Sequence, residues 1–266
     1  MKLNIVPARQ GLLWVKLGVR TFFRQPLAMT GLFCILIALM SLTSLVPMVG
    51  IVLVLVLLPA GTLGVMAATR VASDGKFPMP TLLLTAFRAG PAHTRAMLTL
   101  GALYSVGFLS VMGISALVDG GKFARLYLLG GKLTREMAMA GDFQAAMWTS
   151  MLLSLPLSLL FWHAPALVHW QGVPPLKALF FSGVACLRNV LAFTVFGLAW
   201  TGIFIFGSLV MLPIVVALGG GVNPASLEIP MSVFMAGVLF MFFTSLYFTY
   251  RDSFVIPIEE TAHEPT

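Results

Sequence analysis

Residues 27–69, LAMTGLFCILIALMSLTSLVPMVGIVLVLVLLPAGTLGVMAAT, decide the fold, because the whole run contains no Asp, Glu, Lys or Arg. A helix rises about 1.5 Å per residue and needs about 20 residues to cross a hydrocarbon layer of about 30 Å, so the run is long enough for two crossings. Pro47 and Gly50 stand near its middle and supply a tight turn. The reading is a helical hairpin with spans at 27–46 and 49–69. Four further apolar blocks follow at 97–118, 146–168, 190–216 and 230–250. The expected fold is therefore an all-α, polytopic membrane bundle of six transmembrane helices. Pro59 and Pro156 lie inside two of the spans and predict kinks there. Ala60, Gly64 and Ala68 form a small-residue stripe in the second span, suited to close helix approach.

Composition agrees with a membrane as the solvent. The chain is 59% hydrophobic and 9% charged, against roughly 45–50% and about 25% in an ordinary soluble domain. Its net charge of +7 comes from 16 Lys and Arg scattered between apolar blocks. That distribution suits anionic lipid headgroups and excludes a nucleic-acid surface, which would gather its cations among aromatics. Residues 1–251 read as one integral membrane domain, and 252–266 as a polar, disordered tail. Cys34 and Cys186 read as buried thiols. The basic, amphipathic stretch before the first span is too long for a cleavable leader, so that span is expected to remain.

Lys and Arg placement sets the orientation. With the N-terminus inside, Lys2, Arg9, Lys16, Arg20, Arg24, Arg70, Lys76, Arg88, Arg95, Lys177, Arg188 and Arg251 are cytoplasmic, and only Lys122, Arg125, Lys132 and Arg135 are outside. Twelve against four predicts a bacterial inner-membrane protein with both termini in the cytoplasm. The outer segment 119–142 carries paired glycines, Gly120-Gly121 and Gly130-Gly131, around KFARLYLL. It reads either as a short surface helix or as a flexible loop.

Short amphipathic segments precede spans 1, 3 and 5. At about 100° per residue, Arg9, Lys16, Arg20 and Arg24 fall within a stripe of about 80°, while Leu12, Trp14, Val15, Val19, Phe22 and Phe23 cover most of the remainder. This predicts an interfacial helix with its apolar side in the acyl boundary and its four cations on anionic headgroups. Segments 80–88 and 174–188 are the counterparts, and Thr21-Phe22-Phe23-Arg24 is echoed by Thr85-Ala86-Phe87-Arg88. The layout suggests three units, each an interfacial helix followed by two spans.

No catalytic, cofactor or metal signature is present, including HExxH, P-loop and GxSxG patterns. His163 and His169 are six residues apart, about 240° around a helix, so they share no face unless Pro165 breaks the helix between them. Trp162, His163, His169 and Trp170 instead read as interfacial anchors or as the mouth of a ligand site. The spans carry no Asp, Glu, Lys or Arg away from their ends, which argues against ion-coupled transport.

The chain resembles a family of uncharacterised six-span proteobacterial inner-membrane proteins over most of its first 250 residues. The pieces that carry the likeness are Ile5-Val6-Pro7-Ala8-Arg9-Gln10-Gly11, FFRQP at 22–26, FPMP at 77–80 and LFWHAPALVHW at 160–170. Residues 172–189, GVPPLKALFFSGVACLRN, are similar to a wider pattern that includes the membrane regions attached to bacterial glycerophosphodiester phosphodiesterases. In it, Ser182 and Asn189 take the central serine and closing asparagine. The resemblance implies fold and location and no activity, since the chain has no room for the catalytic domain.

Two functional classes remain. One is a non-enzymatic envelope scaffold or partner protein, held to anionic lipid and to a membrane-protein partner or a second copy of itself. The alternative is a transporter or lipid-handling protein with a cavity between the three units. Enzymatic chemistry, which would fall to His163, His169 or Ser182, is the least supported.

Overall fold

The apolar blocks become long helices, the fourth of them broken near its end, in the computed structural model, which describes residues 2–47, 49–217 and 224–255, the side chains of 224–226 and 255 excepted. A two-residue strand β1 (Lys2–Leu3) precedes α1 (Gln10–Arg24), α2 (Pro26–Ser44) and α3 (Gly50–Ser73). A 3-10 turn (Pro80–Leu84) and α4 (Thr85–Arg88) lead into α5 (Pro91–Asp119), followed by α6 (Lys122–Leu129), α7 (Arg135–Met139) and α8 (Gly141–Phe161). Then come α9 (Ala164–Gln171), α10 (Pro175–Arg188), α11 (Val190–Val215), α12 (Pro224–Ser253) and strand β2 (Phe254–Val255). Six of these helices are long and apolar enough to cross a membrane. Several begin or end beyond the predicted apolar limits. Thus α5 starts at Pro91, a residue suited to a first turn, after Gly90 turns the chain at φ 100°.

The chain divides into two compact units, residues 1–26 with 185–266 and residues 27–184. In the first unit α1 packs on α11 and α12. Trp14, Val15, Thr21 and Phe22 are buried, as are Gly11 and Gly18. A Cβ added to Gly18 would lie 2.6 Å from the Cβ of Ser245, so only glycine allows this approach. The apolar side of α1 is thus taken by protein, where the sequence pattern placed it in acyl chains. The three-unit layout survives in element order, yet α1 packs with the last pair of spans.

Residues 252–255 correct a second expectation. Asp252 and Ser253 finish α12, and Phe254–Val255 pairs antiparallel with Lys2–Leu3 in the register Lys2↔Val255 and Leu3↔Phe254. Of the tail expected over 252–266, residues 256–266 lie outside the described ones.

In the second unit α3, α5 and α8 pack in sequence. The Ala60, Gly64 and Ala68 stripe is buried. Its close neighbour at Gly64 is the 3-10 turn, because an added Cβ would stand 2.7 Å from the Cα of Leu83. The helices run on through Pro59 and Pro156. The interruption in the fourth span falls at Trp162–His163 instead, between α8 and α9.

The segment 119–142 is largely helical. Gly120 and Gly121 adopt left-handed φ of 69° and 86°, and the buried Asp119 carboxylate accepts from the amides of Gly121 at 2.8 Å and Phe123 at 2.6 Å. Those acceptors satisfy free amides at the start of α6. Lys122 reaches the Asp142 carboxylate at 2.6 Å, a bond that holds its ammonium pKa above the ordinary lysine value. Of the two thiols read as buried, Cys186 is buried and Cys34 is exposed on α2.

Candidate functional site

A connected polar constellation lies in the first unit, where the Ile5–Gly11 stretch meets the end of α12. Asp252 is its hub. Its Oδ2 accepts from Gln10 Nε2 at 2.6 Å and from Trp14 Nε1 at 2.9 Å. Its Oδ1 accepts from Arg251 Nε at 2.7 Å, and its backbone carbonyl accepts from Asn4 Nδ2 at 2.8 Å. Asn189, at the N-cap of α11 and 2% exposed, closes the other side. Its Oδ1 accepts from the Val6 amide at 2.8 Å, and its Nδ2 donates to the Asn4 carbonyl at 3.0 Å. The extended segment between β1 and α1 lacks helical partners for its backbone groups; Asn189 supplies two of them, while the Asn4 side chain serves the end of α12.

Below this network Trp14 is fully buried, with its ring centroid 5.2 Å from Phe193 and 6.1 Å from Phe196. The opposite face of α1 is open. Arg9, Lys16, Arg20 and Arg24 are all exposed, flanked by exposed Leu12, Leu13 and Phe23. Arg9, Lys16 and Arg20 make no hydrogen bond or ion pair among the described residues. A cavity of about 740 Å³ opens at the head of α1, lined by residues of Asn4–Gln10 together with Arg251, Asp252 and Phe254.

The Trp162–Trp170 stretch, in the second unit, is organised differently from its sequence reading. His163 is 0% exposed and sits in the break between α8 and α9. Ser182 spans that break, accepting from the His163 amide at 2.9 Å and donating to the Leu159 carbonyl at 2.8 Å. A helix break in a buried place leaves backbone groups without helical partners, and one hydroxyl serves two of them. With both capacities engaged, Ser182 acts here as a clamp on the backbone. His169 is half-buried and lies against His93, ring centroids 5.9 Å apart, and not against His163. Trp170 is half-buried, and the Arg70 guanidinium stands 6.0 Å from its ring centroid. Among the described residues no group of three or more His, Cys, Asp or Glu is placed to hold a metal.

Sequence reading missed Asn4, Gln10, Trp14 and Asp252 as members of one site. A signal was present in Asp252 standing directly after a span and before Phe254-Val255, two residues suited to a strand.

Six long apolar helices and a cation-faced helix packed at one edge of a unit define a polytopic α-helical membrane protein. The chain belongs to a family of inner-membrane proteins. It is 39% identical over 257 residues to a probable inner membrane protein of Burkholderia thailandensis, an alignment covering 96% of this chain and 94% of that one. No family model matches the chain, and no solved structure matches it.

Proposed function

We propose that this inner-membrane protein is non-enzymatic and organises anionic lipid, or a partner protein lying on that lipid, at the cytoplasmic leaflet through α1. The observation that carries the reading is the two-sided use of this helix. One face is locked to α11 and α12 through Trp14, Gly11 and Gly18, and the other presents Arg9, Lys16, Arg20 and Arg24. A helix that bound lipid only transiently would keep its apolar face for the bilayer; here that face is committed to protein, and Leu12, Leu13 and Phe23 are left to enter the headgroup boundary. Each cation near an anionic surface contributes about 1 kcal/mol, so four favour anionic over neutral lipid by up to about 4 kcal/mol, less with salt. The excess of Lys and Arg on the same side supports a cytoplasmic position for both termini.

Purification in native lipid tests this reading. Wild-type protein is expected to carry lipid enriched in anionic species over the bulk membrane, and a variant with all four cations changed to Gln is expected to carry the bulk composition. Equal enrichment in both would overturn it.

A second reading, lipid handling, draws on a groove of about 790 Å³ between α11 and α12, lined mainly by apolar side chains including Trp200, Phe204, Met231, Met235 and Phe242. It predicts that Met235→Trp, which would fill the groove, abolishes a cellular phenotype while leaving the anionic enrichment in place.

A further inference from the structure

We propose that the cavity at the head of α1 is a site for a phosphate group, with Arg9 and Arg251 as its cationic donors. The inference rests on the reading that α1 faces anionic headgroups and deepens it from a surface to a defined pocket. The cavity measures about 740 Å³ and is lined about equally by polar and apolar surface, within the usual range for a small-molecule site. Arg9 lines it with no partner among the described residues, so its five N–H donors are unspent. Arg251 spends its Nε on Asp252, and its two Nη groups make no bond among the described residues.

The acidic group in the lining is Asp252, and it does not oppose an anion in the way a free carboxylate would. Gln10, Trp14 and Arg251 already donate to it, which draws its charge into the protein. Arg9 then leaves the pocket with a net positive charge. Arginine's planar fork matches phosphate oxygens bidentately, a geometry that a lysine ammonium lacks. Ile5, Val6, Pro7 and Phe254 supply the apolar half of the wall, suited to the glycerol and upper acyl carbons of a phospholipid. Phosphate could also arrive free, and the two sources share the same donors.

The test is native mass spectrometry of the full-length protein in detergent, titrated with phosphatidylglycerol, with diacylglycerol, and with phosphatidylglycerol in the presence of millimolar inorganic phosphate. One phosphatidylglycerol is expected to be retained, diacylglycerol is not, and Arg9→Gln is expected to weaken retention at least tenfold, with partial recovery in Arg9→Lys. Displacement by inorganic phosphate identifies a site for free phosphate, and its failure to displace identifies a headgroup site. Because Arg9 holds no protein partner, Arg9→Gln should melt like wild type, and Arg251→Gln provides a second, independent loss. Equal retention of phosphatidylglycerol by wild type, Arg9→Gln and Arg251→Gln, or equal retention of diacylglycerol, would overturn the proposal. The variant Lys16→Gln/Arg20→Gln/Arg24→Gln separates the two readings. It should keep the single bound lipid while losing bulk anionic enrichment, whereas loss of enrichment with no effect of Arg9→Gln would sink the pocket alone.

Discussion

The indole nitrogen of Trp14 donates to the Asp252 carboxylate across 2.9 Å, joining residues 238 positions apart in the chain. Gln10 shares the same oxygen, and Arg251 takes the other. One acid therefore ties the first helix to the last span. Removing a charged acceptor from buried donors costs more than the bond itself contributes, because the donors are left dry. Asp252→Ala is expected to lower stability by about 2–4 kcal/mol, read as thermal unfolding in detergent. Asp252→Asn, which keeps one acceptor oxygen, should lose less; an Ala variant as stable as wild type would refute the hub.

Gly18 and Gly113 make a matched pair. An added Cβ at Gly18 meets Ser245 at 2.6 Å, whereas at Gly113 it meets nothing within 4 Å. Gly18→Ala should therefore destabilise by about 1–3 kcal/mol through overpacking. Gly113→Ala should be neutral or stabilising by up to about 1 kcal/mol through helix propensity. Comparing the two melting temperatures checks the α1 packing directly.

Ser182 serves backbone groups on both sides of the α8–α9 break. Ser182→Ala should cost about 1–2 kcal/mol by removing its bonds to the His163 amide and the Leu159 carbonyl. Any cellular phenotype should persist wherever the protein level is normal. Loss of the phenotype at a normal level would instead point to chemistry at Ser182.

Burial pushes the Cys186 thiol up to about 12, above the ordinary thiol value of about 8.5. In a Cys34→Ser background, alkylation by iodoacetamide at pH 9 should be slower by a factor on the order of 10³ in the folded than in the unfolded protein. The linkage has a definite sign. Folding favours the protonated thiol, so its contribution is fully present below the unfolded pKa and is lost as pH rises towards about 12. Comparable alkylation rates in the two states would contradict the burial.

Six spans were legible in the sequence because charge-free runs long enough to cross a bilayer have few other readings. Helices in the right order before spans 1, 3 and 5 were legible from amphipathic spacing. What covers the apolar side of α1 was not, since lipid and protein are equally apolar neighbours and periodicity cannot tell them apart. Trp14 and Phe22 look the same on either account. Asp252 was misplaced because charge begins to accumulate there, and a composition argument sees the polar tail before it sees a single buried acceptor. The burial of His163 was not legible either. Aromatic and His residues at a span end suit an interface, but a helix break turned this one inward. The Gly120-Gly121 pair left helix and loop open until Asp119 was seen to cap α6.

Orientation is checked separately. Reporter fusions after Ser73 should read cytoplasmic and fusions after Gly131 periplasmic, following the distribution of Lys and Arg. A periplasmic signal at Ser73 would invert the arrangement and move α1 to the other leaflet.

The central claim is that α1 lies at the headgroup level with its outer face on lipid while its inner face is held by α11 and α12. Site-directed spin labels at Leu13→Cys and Phe23→Cys, in a Cys34→Ser background of the full-length protein in anionic nanodiscs, measure this most directly through their relative accessibility to oxygen and to a water-soluble nickel chelate. Leu13 lies within the cation stripe and Phe23 beside it, and both are exposed. The account predicts that both report the same shallow depth, at the boundary of headgroups and acyl chains, in wild type, and that changing the four cations to Gln shifts both towards water. Labels fully accessible to the nickel chelate in the wild-type background would contradict it.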